Sequence, residues 1–405
     1  MEQRIYVGVD LAKRFHQVAA VDQEQRTVCE PFTIGRGREG LDEMLSRLRF
    51  VCRDPGALVV TIEATSDWWW ETSWALIGQG CEVYLAHPKK SHDLRRFYAV
   101  HTKTDVTDAE ALARMPLVDT SLRQLWRPTP EQHSLLRLCR QRWKTRCRIA
   151  DLKRRTSHLS EIVVPGLDRV MPVRYSKSAR VFLRRYLAPE KARRLGKKRL
   201  GQVLRRAAWG KLSDEKLDRL WACIENAPSL GLLSDDLQLE IGVQLDELEA
   251  LENQVATLDA RITELYGEVD PGQRLLEQPG LGPYLAAAVT AAIGDVRRFP
   301  SSKALISYAG LAPRVKSSAG VSKSGQGITK HGSPYLRAWL FVAAENARMY
   351  DSELKAYYRA MRKRDKHHLV AVCATAARLL EKAYVMLAGD VGTEKESRAQ
   401  SLNTG

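Results

Sequence analysis

What this 405-residue sequence lacks narrows its class first. No window holds the roughly 18 uninterrupted apolar residues that a spanning helix needs, so no membrane segment is expected. The opening stretch, Met1 to Arg14, lacks the apolar core of a secretory signal. Its seven cysteines (Cys29, Cys52, Cys81, Cys139, Cys147, Cys223, Cys373) include no CxxC pair. That argues against a zinc ribbon or a disulfide framework and fits a reducing cytoplasm. Acids are scarce between Arg137 and Lys211, where four (Asp151, Glu161, Asp168, Glu190) face 24 Lys and Arg. The block carries +20 in a chain whose total is +16, so the remainder is close to neutral. Such a block suits a polyphosphate partner, because each phosphate contact releases condensed counterions. Ordinary solvated faces mix both signs.

What is present alternates at first between strands and helices. Short apolar runs at Ile5–Asp10, His16–Val21, Val28–Ile34, Ala57–Glu63 and Glu82–Ala86 read as strands, with helices at Gly40–Val51 and Trp68–Gly78. Three β units followed by αβαβ predict a mixed sheet with helices packed on it. From Pro128 the pattern is helical. Glu131–Glu161 is a long basic helix, and 166–230 an Arg-rich helical insertion. Leu237–Tyr266 has apolar residues at 241, 245, 248, 251, 255, 258, 262 and 265, the spacing of a coiled-coil seam or of a hairpin with the 131–161 helix. The Gln278–Pro283 turn resembles a helix-hairpin-helix turn, which would offer backbone N–H groups to a DNA phosphate. Helices follow at 301–309, 333–348 and 352–386, then a polar tail. The expected division is 1–125 (α/β), 126–268 (basic helical and coiled-coil), 269–390 (mainly α-helical) and 391–405 (disordered).

Four acids stand where chemistry would want them. Asp10 ends the first strand and Glu63 a later buried one; Asp105 and Asp108 share one face at the start of a helix. Hard divalent cations take oxygen ligands, and two of them can clamp the attacking and leaving oxygens of a phosphoryl transfer. Taken singly, each acid is also an ordinary cap or strand-end charge.

The strings Gly8-Val-Asp-Leu-Ala-Lys13, Ile62-Glu-Ala-Thr65 and Lys103-Thr-Asp-Val-Thr-Asp-Ala-Glu-Ala-Leu-Ala113, in this order, resemble the RuvC-like DEDD domain of the Piv-type transposases of the IS110 insertion-sequence family. The likeness is strongest over about residues 4–115. It departs after Thr65, where Ser66-Asp67-Trp68 stands in place of the family's glycine and aromatic. It resumes in Leu276–Gly282, Tyr308–Pro313 and Gly327–Arg337, which look like the family's transposase domain. The resemblance implies an RNase H-like N-terminal domain holding Mg²⁺ (or Mn²⁺) through Asp10, Glu63, Asp105 and Asp108. It also implies a serine nucleophile, by spacing Ser318, with Ser317 as the alternative. A structured guide RNA and a homo-oligomer (dimer or tetramer) acting on DNA at the element's ends and target, in the nucleoid, follow from the same resemblance alone.

Read without it, residues 316–326 are a flexible polar loop, with His331 the nearest following base. Expected nucleic-acid contacts are Arg137, Arg140, Lys144, Arg148, Lys153, Arg154, Arg155, Arg193, Arg194, Lys197, Lys198 and Arg199, with Lys330 and Arg337 beside the loop. His367-His368 suit a basic surface better than a metal, and Trp68-Trp69-Trp70 suit core or a subunit interface better than base stacking. Two other functions stay open: a metal-dependent junction nuclease using water, and a non-catalytic nucleic-acid-binding protein.

Overall fold

The computed structural model describes residues 4–64, 68–98, 104–120, 122, 124–171, 175–314, 317–318, 321–322 and 327–402. Two compact units emerge, Met1–Arg127 and Pro128–Gly405.

The first unit is built on five strands, β1 (Ile5–Leu11), β2 (Phe15–Val21), β3 (Thr27–Gly35), β4 (Leu58–Glu63) and β5 (Glu82–Ala86). Their order is β3-β2-β1-β4-β5. β1, β2 and β3 form an antiparallel meander, while β4 and β5 run parallel to β1. This is the RNase H-like mixed sheet that the sequence predicts. β4 is covered on both faces and so reads as a continuous apolar run. Helices α1 (Arg38–Leu48), α2 (Trp69–Gly78), α3 (Pro88–Tyr98) and α4 (Asp105–Val118) complete the unit. Met44 and Leu48 of α1 and Leu76 of α2 pack with Val7, Val9, Ile34 and Ile62.

α4 covers the opposite face, that of Gly8 and Asp10, which alternate with Val9. Its Ala109, Leu112 and Ala113 come so close to β1 that a Cβ on Gly8 would lie 1.9 Å from the Ala109 carbonyl oxygen. Glycine is therefore required there by packing, not by backbone angle.

The second unit contains α5 (Pro130–Val163), α6 (Leu167–Val170), α7 (Lys177–Arg185), α8 (Pro189–Leu195), α9 (Lys197–Ala207), α10 (Asp214–Asn226) and α11 (Leu232–Val269). Then come α12 (Pro283–Ile293), α13 (Ser302–Ala309), α14 (Pro334–Tyr350), α15 (Ser352–Lys363) and α16 (His368–Leu402). Thr129 caps α5 in a reciprocal box with Gln132. α5 and α11 form an antiparallel hairpin. Leu135 and Cys139 share a core with Ile262 and Leu265 at one end, and Ile149 and Leu152 share another with Ile241, Leu245 and Leu248. The apolar seam read from α11 is thus a hairpin core. α6–α10 close over one end of it and α12–α16 over the other.

Three differences from expectation have local causes. The 268/269 boundary falls within one core, since Leu135 and Leu265 pack with Leu285, Trp339 and Leu380. The helix expected over 352–386 breaks at Arg364–His367, with Asp365 at φ 56°. That run is wholly polar and gives the helix nothing to bury. The break lets Leu354 and Leu379 enter the same core. Finally, α16 continues to Leu402 through the segment expected to be disordered. Glu394, Lys395, Glu396, Arg398, Ala399 and Gln400 are good helix formers.

Candidate active site

Where the acids stand follows from how two strands and one helix meet. Val9 pairs with Ile62 across parallel β1 and β4, so Asp10 and Glu63 follow at one level of neighbouring strands. Two strand residues from Gly8 to Asp10 span about 6.6 Å, close to the roughly 5.4 Å of one helical turn. The turn of α4 preceding its contact with Gly8 carries Asp105 and Asp108. Thr104 caps that turn, and its side chain and that of Thr107 satisfy each other's backbone amides. Asp10 and Asp105 line one cavity of about 450 Å³, with Lys13, Arg14, Phe15, Gln17 and Thr33. Gln17 accepts a hydrogen bond from the Thr33 hydroxyl at 2.9 Å.

The other two acids are engaged with α3. Ser91 donates its hydroxyl hydrogen to Glu63 Oε2. Arg95 donates from Nη1 to Asp108 Oδ1 at 2.8 Å. Neither Gly8, Ser91 nor Arg95 was singled out from sequence. An i,i+4 Ser/Arg pair carries no signal until its helix is known to face the acids. All four candidate ligands are carboxylates, hard oxygen donors that suit Mg²⁺ or Mn²⁺. Among the described residues no three His, Cys, Asp or Glu side chains form a ready metal cage.

Ser317 and Ser318 form one arm of a short hairpin, pairing with Ser322 and Val321. An antiparallel bridge between Pro313 and Ile328 lies at its base. Backbone pairing thus holds these four residues, within a segment expected to be a flexible loop. The side chains of Ser317 and Ser318 lie outside the described residues. So do Thr65, Ser66 and Asp67, where the motif departs.

Most of the expected nucleic-acid contacts are exposed, and several of these are also paired within the fold. Lys144, Arg155, Arg194, Lys198 and Arg199 are exposed, as is Arg137. Others have partners within the fold. Arg148 pairs with Glu247, Lys153 with Glu252, Arg154 with Asp151 and Lys197 with Asp218. Arg140 lies 5.3 Å over the Tyr335 ring. The Arg193 guanidinium donates to the carbonyls of Ile224, Glu225 and Ala227 at 2.7, 3.1 and 2.6 Å, tying down the end of α10. Arg337 donates to the Ala309 and Lys330 carbonyls at 3.3 and 3.4 Å. Lys330 is exposed, in the left-handed region at φ 58°. Arg193 and Arg337 are thus engaged with backbone carbonyls of this fold.

Other expectations also meet their geometry here. In the Gln278–Pro283 turn, a Cβ on Gly280 would lie 2.5 Å from the Ala347 amide nitrogen, and the Gln278 amide donates to Asp351 at 2.8 Å. That turn is stitched to the helices behind it. Trp69 joins the sheet core, Trp70 meets Trp74 at 5.2 Å, and Arg36 lies 5.9 Å over Trp68. His368 is 2.8 Å from the Tyr358 hydroxyl and 3.0 Å from Glu345.

Comparison with known proteins bears on the family of this chain. Residues 7–164 match the family model for IS110-type DEDD transposases, and residues 272–359 the model "Transposase IS116/IS110/IS902 family". The chain belongs to the IS116/IS110/IS902 transposase family. It is a DNA transposase, with the acids inside the first matched segment and Ser317–Ser318 inside the second. It is 26% identical over 405 residues to the IS116 44.8 kDa protein of Streptomyces clavuligerus, covering 95% of this chain and 94% of that one. The IS110 43.6 kDa protein of Streptomyces coelicolor is 29% identical over 58% of this chain and 57% of its own. The pilin gene-inverting protein of Moraxella bovis is 22% identical over 84% and 82%. A solved structure of T. thermophilus RuvC with a Holliday junction substrate covers 30% of this chain at 13% identity and a TM-score of 0.22, too slight to add to the topology. No helix among the described residues is long and apolar enough to cross a membrane.

Proposed function

We propose that this transposase cuts and rejoins DNA at the ends of an insertion sequence, using Asp10, Glu63, Asp105 and Asp108 as ligands for Mg²⁺ (or Mn²⁺) and Ser318 as nucleophile. Ser317 is the alternative nucleophile. The observation that supports this best is the placement of the acids. The ends of β1 and β4 and the first turn of α4 bring carboxylates to one end of an RNase H-like sheet in a chain of a DEDD transposase family.

A metal bound there would polarise the scissile phosphate and stabilise charge on the leaving oxygen. The carboxylates fix its place, and Lys13 and Arg14 line the same cavity as cations for a phosphate. The serine oxygen bonds to phosphorus as the bond to the leaving deoxyribose oxygen breaks. Attack by a second strand's hydroxyl on the phosphoserine ester then rejoins DNA and releases the serine. The exposed bases Lys144, Arg155, Arg194, Lys198 and Arg199 hold nucleic acid through phosphates. A structured guide RNA and a homo-oligomeric assembly are part of this proposal.

The test is a denaturing protein gel after incubating the purified protein with Mg²⁺, co-expressed RNA and labelled junction DNA. A protease-sensitive protein–DNA adduct, lost in Ser318→Ala and in Asp10→Asn, is expected. Cleavage without an adduct, untouched by Ser318→Ala and Ser317→Ala but lost in Asp10→Asn, would make the protein a metal-dependent nuclease that uses water.

A further inference from the structure

Helix α3 reaches two of the four acids from a single face. Ser91 and Arg95 are four residues apart, so they lie one above the other. Ser91 is only 5% exposed, and its hydroxyl donates to Glu63 Oε2, with the Pro88 carbonyl oxygen 3.0 Å away as second neighbour. A hydroxyl has one hydrogen, and an ionised carboxylate is the stronger acceptor. One turn on, Arg95 meets Asp108 Oδ1 at 2.8 Å, with the two side chains 15% and 19% exposed. At the far end of the same pair of helices Lys90 meets Asp119 at 2.7 Å, so α3 runs antiparallel to α4 and is pinned along it.

Each contact uses one carboxylate oxygen. Glu63 Oε1 and Asp108 Oδ2 have no hydrogen-bond or ion-pair partner among the described residues. A free carboxylate must give up rotational freedom to bind a cation. One already held by its other oxygen has surrendered that freedom beforehand. We propose that Ser91 and Arg95 are positioning residues of the metal site, fixing one oxygen each of Glu63 and Asp108 and leaving the other for the cation. This rests on the reading of those acids as ligands. Arg95 also offsets part of the mutual repulsion of the acids before the cation arrives.

The test is calorimetric titration of the full-length protein with Mn²⁺ in the absence of DNA, so that activity plays no part. Ser91→Ala is expected to weaken Mn²⁺ binding about 10-fold, at the low end of what lost support behind a metal ligand costs. Ser91→Thr, which keeps the hydroxyl, should bind as the parent does and so separates a lost hydrogen bond from a fold defect. Arg95→Gln is expected to weaken binding as well. Parent-like affinity in both Ser91→Ala and Arg95→Gln, with binding abolished by Asp10→Asn, would overturn the role of α3 while leaving the site intact. Tighter binding by Arg95→Gln would show that Arg95 competes with the cation and overturn its positioning role. Binding indifferent to Asp10→Asn would instead remove the metal site on which the inference stands.

Discussion

In the first unit, like charges are gathered by backbone contact. Gly8 lets α4 settle on β1, and that contact brings Asp105 into the cavity that Asp10 lines. In the second unit, a block of like charge is divided by its partners. α11 sets Asp246, Glu247, Glu249, Glu252 and Asp259 against Arg184, Arg148, Lys153, Arg180 and Arg142. Charge density along a chain and charge on a surface are therefore different quantities. Asp10 and Asp105, far apart in sequence, come to line one cavity, while a +20 segment has part of its charge paired within the fold. Gathering depends on a few close backbone approaches, so single substitutions should break it. The basic surface is spread over many side chains and should erode gradually.

The largest expected effect follows from Gly8→Ala. The added methyl would sit 1.9 Å from the Ala109 carbonyl oxygen, so α4 must shift. Overpacking of this kind is expected to cost about 3 kcal/mol, and the shift should carry Asp105 and Asp108 away from Asp10. Hydrogen exchange of the β1 and α4 amides, read beside Mn²⁺ affinity, checks both parts. Unchanged exchange and affinity would mean that the acids are not gathered through this contact.

The second test separates bases held by the fold from those facing outward. Arg193→Ala removes donors from three backbone carbonyls and should lower stability by about 1.5–3 kcal/mol in urea unfolding, the range for hydrogen bonds from a charged group. Its effect on the salt dependence of DNA binding should be nil. Lys198→Ala and Arg199→Ala should do the reverse, leaving stability unchanged while each reduces the slope of log K against log salt by about 0.9. If Arg193→Ala also flattened that slope, the division between structural and outward bases would fail.

What was legible in the sequence follows the same line. β1 and β4 are readable as short, nearly continuous apolar runs because they are buried on both faces, and the seam of α11 is readable because burial on a helical period leaves a mark at every turn. Asp10, Glu63, Asp105 and Asp108 stood out as strand-end and helix-start acids within strings that resemble a family. The carbonyl partners of Arg193 and Arg337 do not show in the sequence, because a partner 28 to 34 residues away leaves no trace in a linear charge count. Ser91 and Arg95 went unnoticed for the same reason: their meaning lies in which face of α3 meets α4. The break before α16 leaves no mark in the sequence, because a polar run looks alike in a helix and in a turn.

The smallest expected effect concerns His16, a buried base of the first unit. It lies opposite Leu11 and Ile34 in the sheet, is 3% exposed, and its Nδ1 has no hydrogen-bond partner among the described residues. Burial pushes its pKa below the usual 6.5, with Arg36 adding to the shift and the Phe15 backbone and Glu71 opposing it. Above pH 6.5 the imidazole is neutral in both folded and unfolded chains, so it leaves stability independent of pH. Below that, the unfolded chain takes up a proton that the fold resists, and stability falls until the folded pKa is reached. His16→Gln cannot ionise and should remove this part of the acid sensitivity. The urea midpoint of the parent should therefore drop more between pH 7.5 and pH 5.5 than that of the variant. Equal drops would mean that His16 finds a proton acceptor or water within the fold, and that packing alone does not set the charge of this unit's buried base.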